Sequence, residues 1–381
     1  LLVFVLLSYN GLWSQSNNLA PLVDKKATAS AILLSKKLVS ISKQGFAVGH
    51  QDASSYGIGW KHKDHPEKID SDVHRVLGDF PAVFGFDIGG IELDSPDNLD
   101  SVPFDAMRKL IIDAHAKGGI ITISWHLDNP VSGGDSWDKT PAVAQCLKGG
   151  AERVKYELWV KRVANFLNAL EYKGEKIPVI FRPFHEMNGA WFWWGDPNCT
   201  SKDYINLWQD TVEQLRDVHQ VHHLLYAYSP NKLNPVDNYL KYYPGDDFVD
   251  IFGIDIYDRN DAADYIKSVR QDVELMKSVA DKKNKLYAFT ETGLEKIPTE
   301  KWFTEVLYPA IENSGISWVL MWRNHRTSHH YMPFKGHSSE KDFKNFKDLP
   351  QTLFLKDINH ISLPCFHSHY RYYRKKEGTK K

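Results

Sequence analysis

The chain has 381 residues, of which 42% are hydrophobic and 25% charged, and its formal net charge is −1. This composition supports a large folded core, excludes global disorder and gives no indication of a nucleic-acid or anionic-membrane partner. The length suits one α/β barrel with long loops better than a small domain. Aromatic residues reach 13%, with 12 tryptophans. They could fill a core or bind sugar rings, and composition alone leaves both interpretations open.

The N-terminal segment is apolar over Leu1–Leu7 and becomes polar by Ser14–Asn18. The apolar run is too short to span a bilayer. It is typical of the hydrophobic region of a signal peptide that lacks its initiating methionine and basic start. We therefore expect residues 1–16 to be a signal-peptide remnant and the protein to be secreted or periplasmic. A buried first strand is the alternative.

Short apolar runs alternate with amphipathic stretches between Phe46 and Leu355, and no short repeat or low-complexity linker interrupts them. Eight of these runs are predicted strands: Phe46–Val48, Ala82–Ile88, Ile120–Trp125, Val179–Arg182, Leu224–Tyr228, Ile251–Ile256, Leu286–Thr290 and Trp318–Trp322. Strands separated by helical patterns predict a parallel sheet, and eight is the number that closes a (β/α)8 TIM barrel. We therefore predict an α/β fold with a single domain over residues 17–357.

Two of the intervening helices can be delimited from the sequence. We expect one over residues 105–117, with Ser101 as its N-cap and Gly118 ending it in a left-handed conformation. We expect the other over residues 152–170, because apolar residues recur there at helical spacing. Trp159 lies on that apolar face and is predicted to be a core residue.

The C-terminal residues 358–381 are basic and aromatic and show no periodicity, so we expect a tail without ordered structure. The three cysteines are Cys146, Cys199 and Cys365. None of them forms a CxxC motif, so neither a zinc site nor a thioredoxin-like centre is predicted. Cys146 and Cys199 could form a disulfide or both remain free thiols.

Histidines are numerous, at 17, which raises the question of a metal site. Metal-dependent barrels often carry two histidines, separated by one residue, at the end of the first strand, whereas this chain has only His50 there. His126, His185 and His325 follow different predicted strands without paired spacing. We therefore predict no catalytic metal and no cofactor.

Two glutamates follow predicted strands on different sides of the barrel: Glu186 after the fourth and Glu291 at the end of the seventh. Active residues of this barrel lie at the C-terminal ends of its strands, so the two carboxyl groups can face each other across the mouth. Glycoside hydrolysis uses such a pair, one carboxyl as proton donor and the other as nucleophile or base. A glutamate considered alone would more simply be a solvated loop charge.

The neighbours of each glutamate suggest its role. Glu186 lies among Phe184, Trp191 and Trp193, and apolar surroundings raise the pKa of a carboxyl group because they disfavour its charged form. This suits the acid/base. Glu291 must stay ionised to attack, and Tyr257, just after the sixth run, could donate a hydrogen bond to it.

The run from His185 to Gly195, His-Glu-Met-Asn-Gly-Ala-Trp-Phe-Trp-Trp-Gly, resembles the acid/base signature of glycoside hydrolase family 26, whose best-known members are β-1,4-mannanases. Weaker motifs extend the resemblance in order over most of the chain: Gly49-His-Gln-Asp52, Ser124-Trp-His126, Arg182-Pro-Phe-His-Glu186, Glu291-Thr-Gly293 and Met321-Trp-Arg323. The resemblance implies a retaining mechanism in a barrel with its carboxylates on strands four and seven. Many related families have asparagine before the acid/base, whereas His185 matches family 26.

Residue by residue, the resemblance implies that Glu186 is the acid/base and Glu291 the nucleophile. It implies that Arg182 holds the two carboxylates through charge and hydrogen bonds. His185 and Tyr257 would support the sugar being cleaved and the nucleophile.

The resemblance also implies two sets of substrate contacts further from the cleaved bond. Trp191 and Trp322 would line the subsite before the cut, and His126 and Arg323 would bind the next sugar. These positions favour mannan, glucomannan or galactomannan as the polysaccharide substrate of a β-1,4-mannanase. We expect endo action, with exo action as the alternative, because the sequence does not give the shape of the loops around the cleft. We also expect a monomer with neither a nucleic-acid partner nor a membrane span. The alternatives are a related hydrolase of mixed-linkage β-glucan or β-1,3-xylan, and a non-catalytic sugar-binding barrel, which would be expected to lack one of the carboxylates.

Overall fold

The computed structural model describes residues 19–64, 66, 69–233 and 238–362. The predicted signal-peptide remnant over residues 1–16, residues 363–381 of the predicted tail, and Cys365 lie outside the described residues. In the described part of the chain, no helix combines the length and the apolar character that a membrane span requires.

Eight parallel strands close into a barrel. In chain order they are β1 Phe46–Gln51, β2 Val83–Asp87, β3 Ile120–Trp125, β4 Val179–Pro183, β5 Leu224–Tyr228, β6 Ile251–Asp258, β7 Leu286–Leu294 and β8 Trp318–Met321. Each strand pairs with the next, and β8 pairs with β1, so that Gly49 lies opposite Leu320 on one side and Val83 on the other. All eight predicted runs correspond to these strands, and the predicted TIM barrel is confirmed.

Helices surround the barrel and connect most successive strands, although none lies in the described residues between β5 and β6. They are α1 Ala29–Ser42, α2 Asp72–Leu77, α3 Phe104–Ala116, α4 Val143–Cys146, α5 Arg153–Asn168, α6 Ser201–Glu213, α7 Ala262–Lys283, α8 Tyr308–Ile311, α9 Glu340–Lys347 and α10 Leu355–Asn359. Shorter pieces complete the chain: 3-10 turns at His62–Asp64 and Ile91–Leu93, π-helical turns at Gln214–Val218 and Phe303–Leu307, and two-residue strands at Tyr56–Gly57, Trp60–Lys61, Glu171–Tyr172, Glu175–Lys176 and Thr352–Leu353.

The two helices delimited from the sequence are α3 and α5. Helix α5 agrees with the prediction to within two residues at each end, and Trp159 on it is buried. The N-cap prediction for α3 was wrong, because Pro103 occupies that position and Ser101 has a φ of 60°. Ser101 instead belongs to the preceding turn, where its amide donates to the carbonyl of Asn98. Gly118 follows the helix with a φ of 90°, as predicted.

Helix α1 closes the bottom of the barrel. Its buried residues, Ala31, Leu34, Leu38 and Ile41, join one apolar cluster with interior strand residues such as Ile180 and Trp318. Ser30 donates to the carbonyl of Lys176 just before β4, and Lys37 to that of Gly118 just before β3. The helix therefore lies at the N-terminal ends of the strands, which leaves the opposite end as the open mouth.

A larger aromatic-rich cluster fills the space between the strands and the surrounding helices. Phe289 and Tyr287 on β7 belong to it, whereas Leu286 and Ala288 belong to the interior cluster. Side chains of β7 therefore alternate between the outside and the inside of the barrel up to Phe289.

The end of the domain lies later than predicted. The expected boundary at Asp357 falls inside α10, and Ile358 is 1% exposed within the interior cluster next to α1. Asn359 donates to the carbonyl of Lys117, beyond α3. The first residues assigned to the tail are therefore part of the packed domain.

The two cysteines that the structure describes form no disulfide. Cys146 is buried at the end of α4, and Cys199 is half-buried in the loop before α6. Burial raises the pKa of each thiol to about 12, so both are protonated and unreactive at neutral pH. Of the two possibilities left by the sequence, the free thiols are the correct one.

Candidate active site

Glu186 lies in a tight turn directly after β4, at the mouth of the barrel. Its φ is 54°, and Phe184 two residues earlier has a φ of 48°, so two residues with side chains adopt a left-handed conformation that glycine favours. The backbone amide of Glu186 donates to the carbonyl of Ser229, 2.8 Å away, after β5. The turn is thereby fixed to the neighbouring strand, and the Glu186 side chain is only 8% exposed.

Both carboxyl oxygens of Glu186 accept hydrogen bonds. Trp191 donates from its indole nitrogen to Oε2 at 2.7 Å, and Asn231 donates from Nδ2 to Oε1 at 2.7 Å. Burial and the charge of Glu291 raise the pKa of Glu186 to about 7, against the hydrogen bond from Asn231 and the charge of Arg182. Near neutral pH the group can therefore both give and take a proton.

A β-bulge in β7 directs Glu291 into the mouth. Ile254 on β6 pairs with Phe289, but the next residue, Asp255, pairs with Glu291, so Thr290 is the extra residue of β7. Strict alternation after the outward-facing Phe289 would turn Thr290 inward and Glu291 outward. The bulge reverses this outcome for Glu291, as bulges beside active sites commonly do.

Glu291 accepts one hydrogen bond on each oxygen. Arg182 donates from Nη2 to Oε2 at 2.5 Å, and Tyr257 donates from its hydroxyl to Oε1 at 2.5 Å. The carboxyl is 5% exposed. A charged donor and a hydroxyl donor, one on each oxygen, together fix the orientation of the carboxyl group at the mouth.

Arg182 connects four consecutive strands at the mouth. It projects from β4, donates to Ser229 after β5 at 3.3 Å and to Asp255 on β6 at 2.8 Å, and reaches Glu291 on β7. Both Arg182 and Asp255 are almost completely buried. Burial raises the pKa of Asp255, against the charge of Arg182. Asp255 is further held by the hydroxyl of Thr290, the bulged residue.

His126, directly after β3, forms a buried ion pair with Asp87 at the end of β2. Nδ1 of His126 lies 2.6 Å from Oδ2 of Asp87, and Ser124 donates to the same oxygen at 2.6 Å. Burial opposes protonation of His126, but the charge and the hydrogen bond of Asp87 outweigh it and raise the pKa of the imidazole. The site therefore holds a histidine that is charged over a wider pH range than usual.

His185 is the neutral counterpart of His126. Their rings meet edge to face at 4.6 Å, and His185 contacts Phe192 in the same way at 5.2 Å. Burial, followed by the charges of Arg182 and His126, lowers the pKa of His185 well below its usual value. In a neutral imidazole one ring nitrogen donates a hydrogen bond and the other accepts one, so His185 can do both next to Glu186.

Aromatic rings line the mouth on the side of β3 and β8. The ring of Trp322 lies 6.1 Å from that of His126, and the ring of Trp137 stacks on His126 at 5.5 Å with an interplanar angle of 15°. Trp137 is 47% exposed, so an open indole face stands at the rim. Arg323 lies 6.0 Å from the ring of Trp322 and pairs with Asp100.

The residues predicted from the sequence all lie at this mouth, where hydrogen bonds or ring contacts connect them: Glu186, Glu291, His126, Arg182, His185, Trp191, Tyr257, Trp322 and Arg323. Sequence reasoning missed Asp87, Asn231, Asp255 and Trp137. Asp87 and Asp255 were contained in predicted strands, where an acidic residue in an apolar run is itself a signal. In the described ranges, no group of three or more histidine, cysteine or acidic side chains is arranged to hold a metal ion.

Two proteins of known sequence are similar to this chain. A mannan endo-1,4-β-mannosidase from Bifidobacterium adolescentis is 33% identical over 91% of this chain, and one from Bacillus subtilis is 32% identical over 58%. The alignments cover only 36% and 60% of the lengths of these two relatives.

Two solved structures match over nearly their full length. A family 26 β-mannanase from Bacteroides ovatus is 41% identical, with a TM-score of 0.82, over 89% of this chain and 98% of that one. The catalytic domain of a Bacillus endo-β-1,4-mannanase is 33% identical, also with a TM-score of 0.82, over 90% and 97%. The family model described as glycosyl hydrolase family 26 matches residues 23–311. The chain therefore belongs to glycosyl hydrolase family 26.

Proposed function

We propose that this protein is an endo-acting β-1,4-mannanase that hydrolyses mannan, glucomannan or galactomannan with retention of configuration. The observation that carries the proposal is the pair of buried carboxyl groups at the ends of β4 and β7, which have opposite environments. Glu186 has a pKa raised to about 7, whereas Glu291 receives hydrogen bonds from Arg182 and Tyr257. The relatives named above are themselves called mannanases, which supports the choice of substrate.

In the first step, Glu186 gives its proton to the oxygen of the leaving sugar, and Glu291 attacks the anomeric carbon to form a covalent glycosyl-enzyme. The hydrogen-bond donors Arg182 and Tyr257 orient the Glu291 carboxylate before the attack. Glu291 loses its negative charge when the covalent bond forms. Arg182 still has Asp255 as its second ion-pair partner at that stage.

In the second step, Glu186 is ionised and takes a proton from a water molecule, which attacks the same carbon and releases the sugar. Glu291 returns as a carboxylate and the Glu186 proton is restored. Two inversions give net retention. A pKa near neutrality lets one group serve as acid and then as base.

The aromatic rings and charged groups around the pair provide the contacts that a β-mannan requires. Trp191 and Trp322 offer apolar ring faces for the sugar that precedes the cleaved bond. His126, with its raised pKa, and Arg323 offer charged donors for the hydroxyl groups of the next sugar. The exposed face of Trp137 beside His126 can extend this surface.

The substrate is tested with carob galactomannan, konjac glucomannan, lichenan and β-1,3-xylan under identical conditions. We expect hydrolysis of the two mannans, and release of products only from lichenan or only from xylan would disprove the mannanase proposal. Time courses with mannohexaose should give several product sizes from the start if action is endo. Proton NMR of the first products should show the β-anomer, because the mechanism retains configuration.

The catalytic assignment is tested with Glu186→Gln and Glu291→Gln. Each should lower kcat by several orders of magnitude, because general acid–base help and a covalent intermediate are both large contributions. Glu175→Gln, in the exposed hairpin before β4, is the matched control and should leave kcat unchanged. Full activity of Glu291→Gln would remove the nucleophile assignment.

We also propose that the protein is exported and acts as a monomer, with its catalytic domain starting near residue 17. The apolar run Leu1–Leu7 followed by polar residues supports export. Expression of the gene with its native leader should place the activity outside the cytoplasm, and N-terminal sequencing of the mature protein should locate the cleavage. Light scattering should give the mass of one chain.

A further inference from the structure

Asn231 and Asn188 are hydrogen-bonded to each other next to Glu186, and neither has a role in the proposed mechanism. Asn231 follows β5 and donates from Nδ2 to Oε1 of Glu186 at 2.7 Å. Asn188 lies in the turn after β4, only two residues beyond Glu186. Resting on the proposed function, we infer that Asn188 is a positioning residue that acts through Asn231 to set the proton affinity of Glu186.

The geometry of Asn188 is that of a clamp. Its Oδ1 accepts from the backbone amide of Asn231 at 2.8 Å, and its Nδ2 donates to the backbone carbonyl of Asn231 at 2.9 Å. One side-chain amide therefore satisfies both backbone groups of one residue, as a strand neighbour would. This fixes the backbone from which the Asn231 side chain reaches Glu186.

The other side of Asn231 is fixed by β6. Asp255 donates from its amide to the carbonyl of Pro230 at 2.9 Å, and its own carbonyl accepts from Lys232 at 3.0 Å. Asn231 thus lies between Asn188 on one side and β6 on the other. Strand β6 also carries Asp255, the ion-pair partner of Arg182. The Asn231 side chain has little freedom to leave Glu186, so the hydrogen bond is preorganised rather than formed on demand.

A donor of this kind stabilises the carboxylate over the carboxylic acid. Burial and Glu291 raise the pKa of Glu186, whereas Asn231, Arg182 and Trp191 lower it. Tyr257 and Asp255 on β6 also face the carboxyl group electrostatically. Without the Asn231 donor, Glu186 would hold its proton more tightly, which helps neither the transfer to the leaving group nor base catalysis in the second step.

Asn231→Ala should therefore move the alkaline limb of the pH profile of kcat/KM upward by about one pH unit, since a hydrogen bond to a charged group and one pKa unit are of similar size. Asn188→Ala should move the limb in the same direction by a smaller amount. In the double variant the limb should lie where Asn231→Ala alone puts it, because Asn188 acts only through Asn231.

Asn168→Ala is the matched control. Asn168 is half-buried at the end of α5 and donates from its side chain to the carbonyl of His219 at 3.1 Å, away from the mouth. Its loss should lower thermal stability but leave the pH limb in place. If Asn188→Ala behaves like this control, with reduced stability and an unmoved limb, the positioning role is disproved.

A readout that needs no turnover separates this inference from the proposed function. The carboxyl carbon of Glu186 can be titrated by 13C NMR in protein labelled at glutamate, with Glu186→Gln identifying the signal. The pKa should rise in Asn231→Ala and in Asn188→Ala whether or not mannan is the substrate. An inactive wild type with these shifts would disprove the substrate alone, and an active enzyme without them would disprove the clamp.

Discussion

Arg182 allows the most demanding test of the site, because it is buried and contacts two carboxylates. Arg182→Met keeps much of the side-chain volume and removes the charge. Asp255 and Glu291 would then face each other in a buried site without their shared cation. Removing one partner of a buried ion pair costs about 3–5 kcal/mol, because the remaining charge is left uncompensated.

The expected change in melting temperature follows from the size of the domain. A folded domain of about 340 residues has an unfolding entropy of roughly 0.7 kcal/mol per kelvin near its melting temperature. A loss of about 3–5 kcal/mol therefore lowers the melting temperature by roughly 4–7 °C. Differential scanning calorimetry at pH 7 measures this directly, and kcat should fall together with stability because Glu291 loses its orienting donor.

A second variant distinguishes charge from packing. Adding Glu291→Gln to Arg182→Met removes one of the two uncompensated carboxylates and should recover part of the lost melting temperature. Arg182→Lys should not rescue the site fully, since an ammonium group cannot replace two donors of a planar guanidinium. An Arg182→Met protein with the melting temperature of the wild type would refute the view that Arg182 stabilises the strand ends at the mouth.

Three further predictions concern Glu186, the pair of Asp87 with His126, and Ile358 in α10. The kcat/KM of the wild type should fall as the pH rises through about 7, because the proposed acid, Glu186, must be protonated and its pKa is raised to about 7. A profile flat to pH 9 would contradict this. Asp87→Asn should lower the pKa of His126, which NMR can measure. It should also raise KM for mannohexaose about tenfold with little change in kcat, because one charge-assisted hydrogen bond is lost. An unchanged KM would argue against His126 as a charged sugar ligand. Ile358→Ala should cost about 2–5 kcal/mol of stability and lower the melting temperature at unchanged activity. A melting temperature equal to that of the wild type would mean that Ile358 does not pack in the folded domain.

The barrel was predictable because its signal is repeated eight times. Each strand is a short apolar run, and most runs are followed by a helix, so errors in single elements do not change the fold. The helix start near Ser101 was not predictable in the same way. Serine is a good N-cap in general, but here Asn98 accepts the Ser101 amide and draws it into the preceding turn.

The two glutamates were predictable because the fold places strand ends together and each glutamate follows a strand. Asn231 and Asp87 were missed because each acts through a predicted site residue from a different strand end: Asn231 donates to Glu186, and Asp87 pairs with His126. The bulge at Thr290 was also invisible in the sequence, because it is defined by the register between β6 and β7. Correct strand assignments that ignored this bulge would have placed the Glu291 side chain on the outside of the barrel.

The left-handed conformation of Glu186 has a consequence for engineering. A residue with a side chain at a φ of 54° is held there at a cost of about 1–2 kcal/mol, and its carboxyl group is buried as well. Glycine would remove both penalties along with the carboxyl group. With Glu186 as the proposed acid/base, this position sets activity against heat resistance, and a selection for thermal survival alone would favour variants that are more stable but inactive.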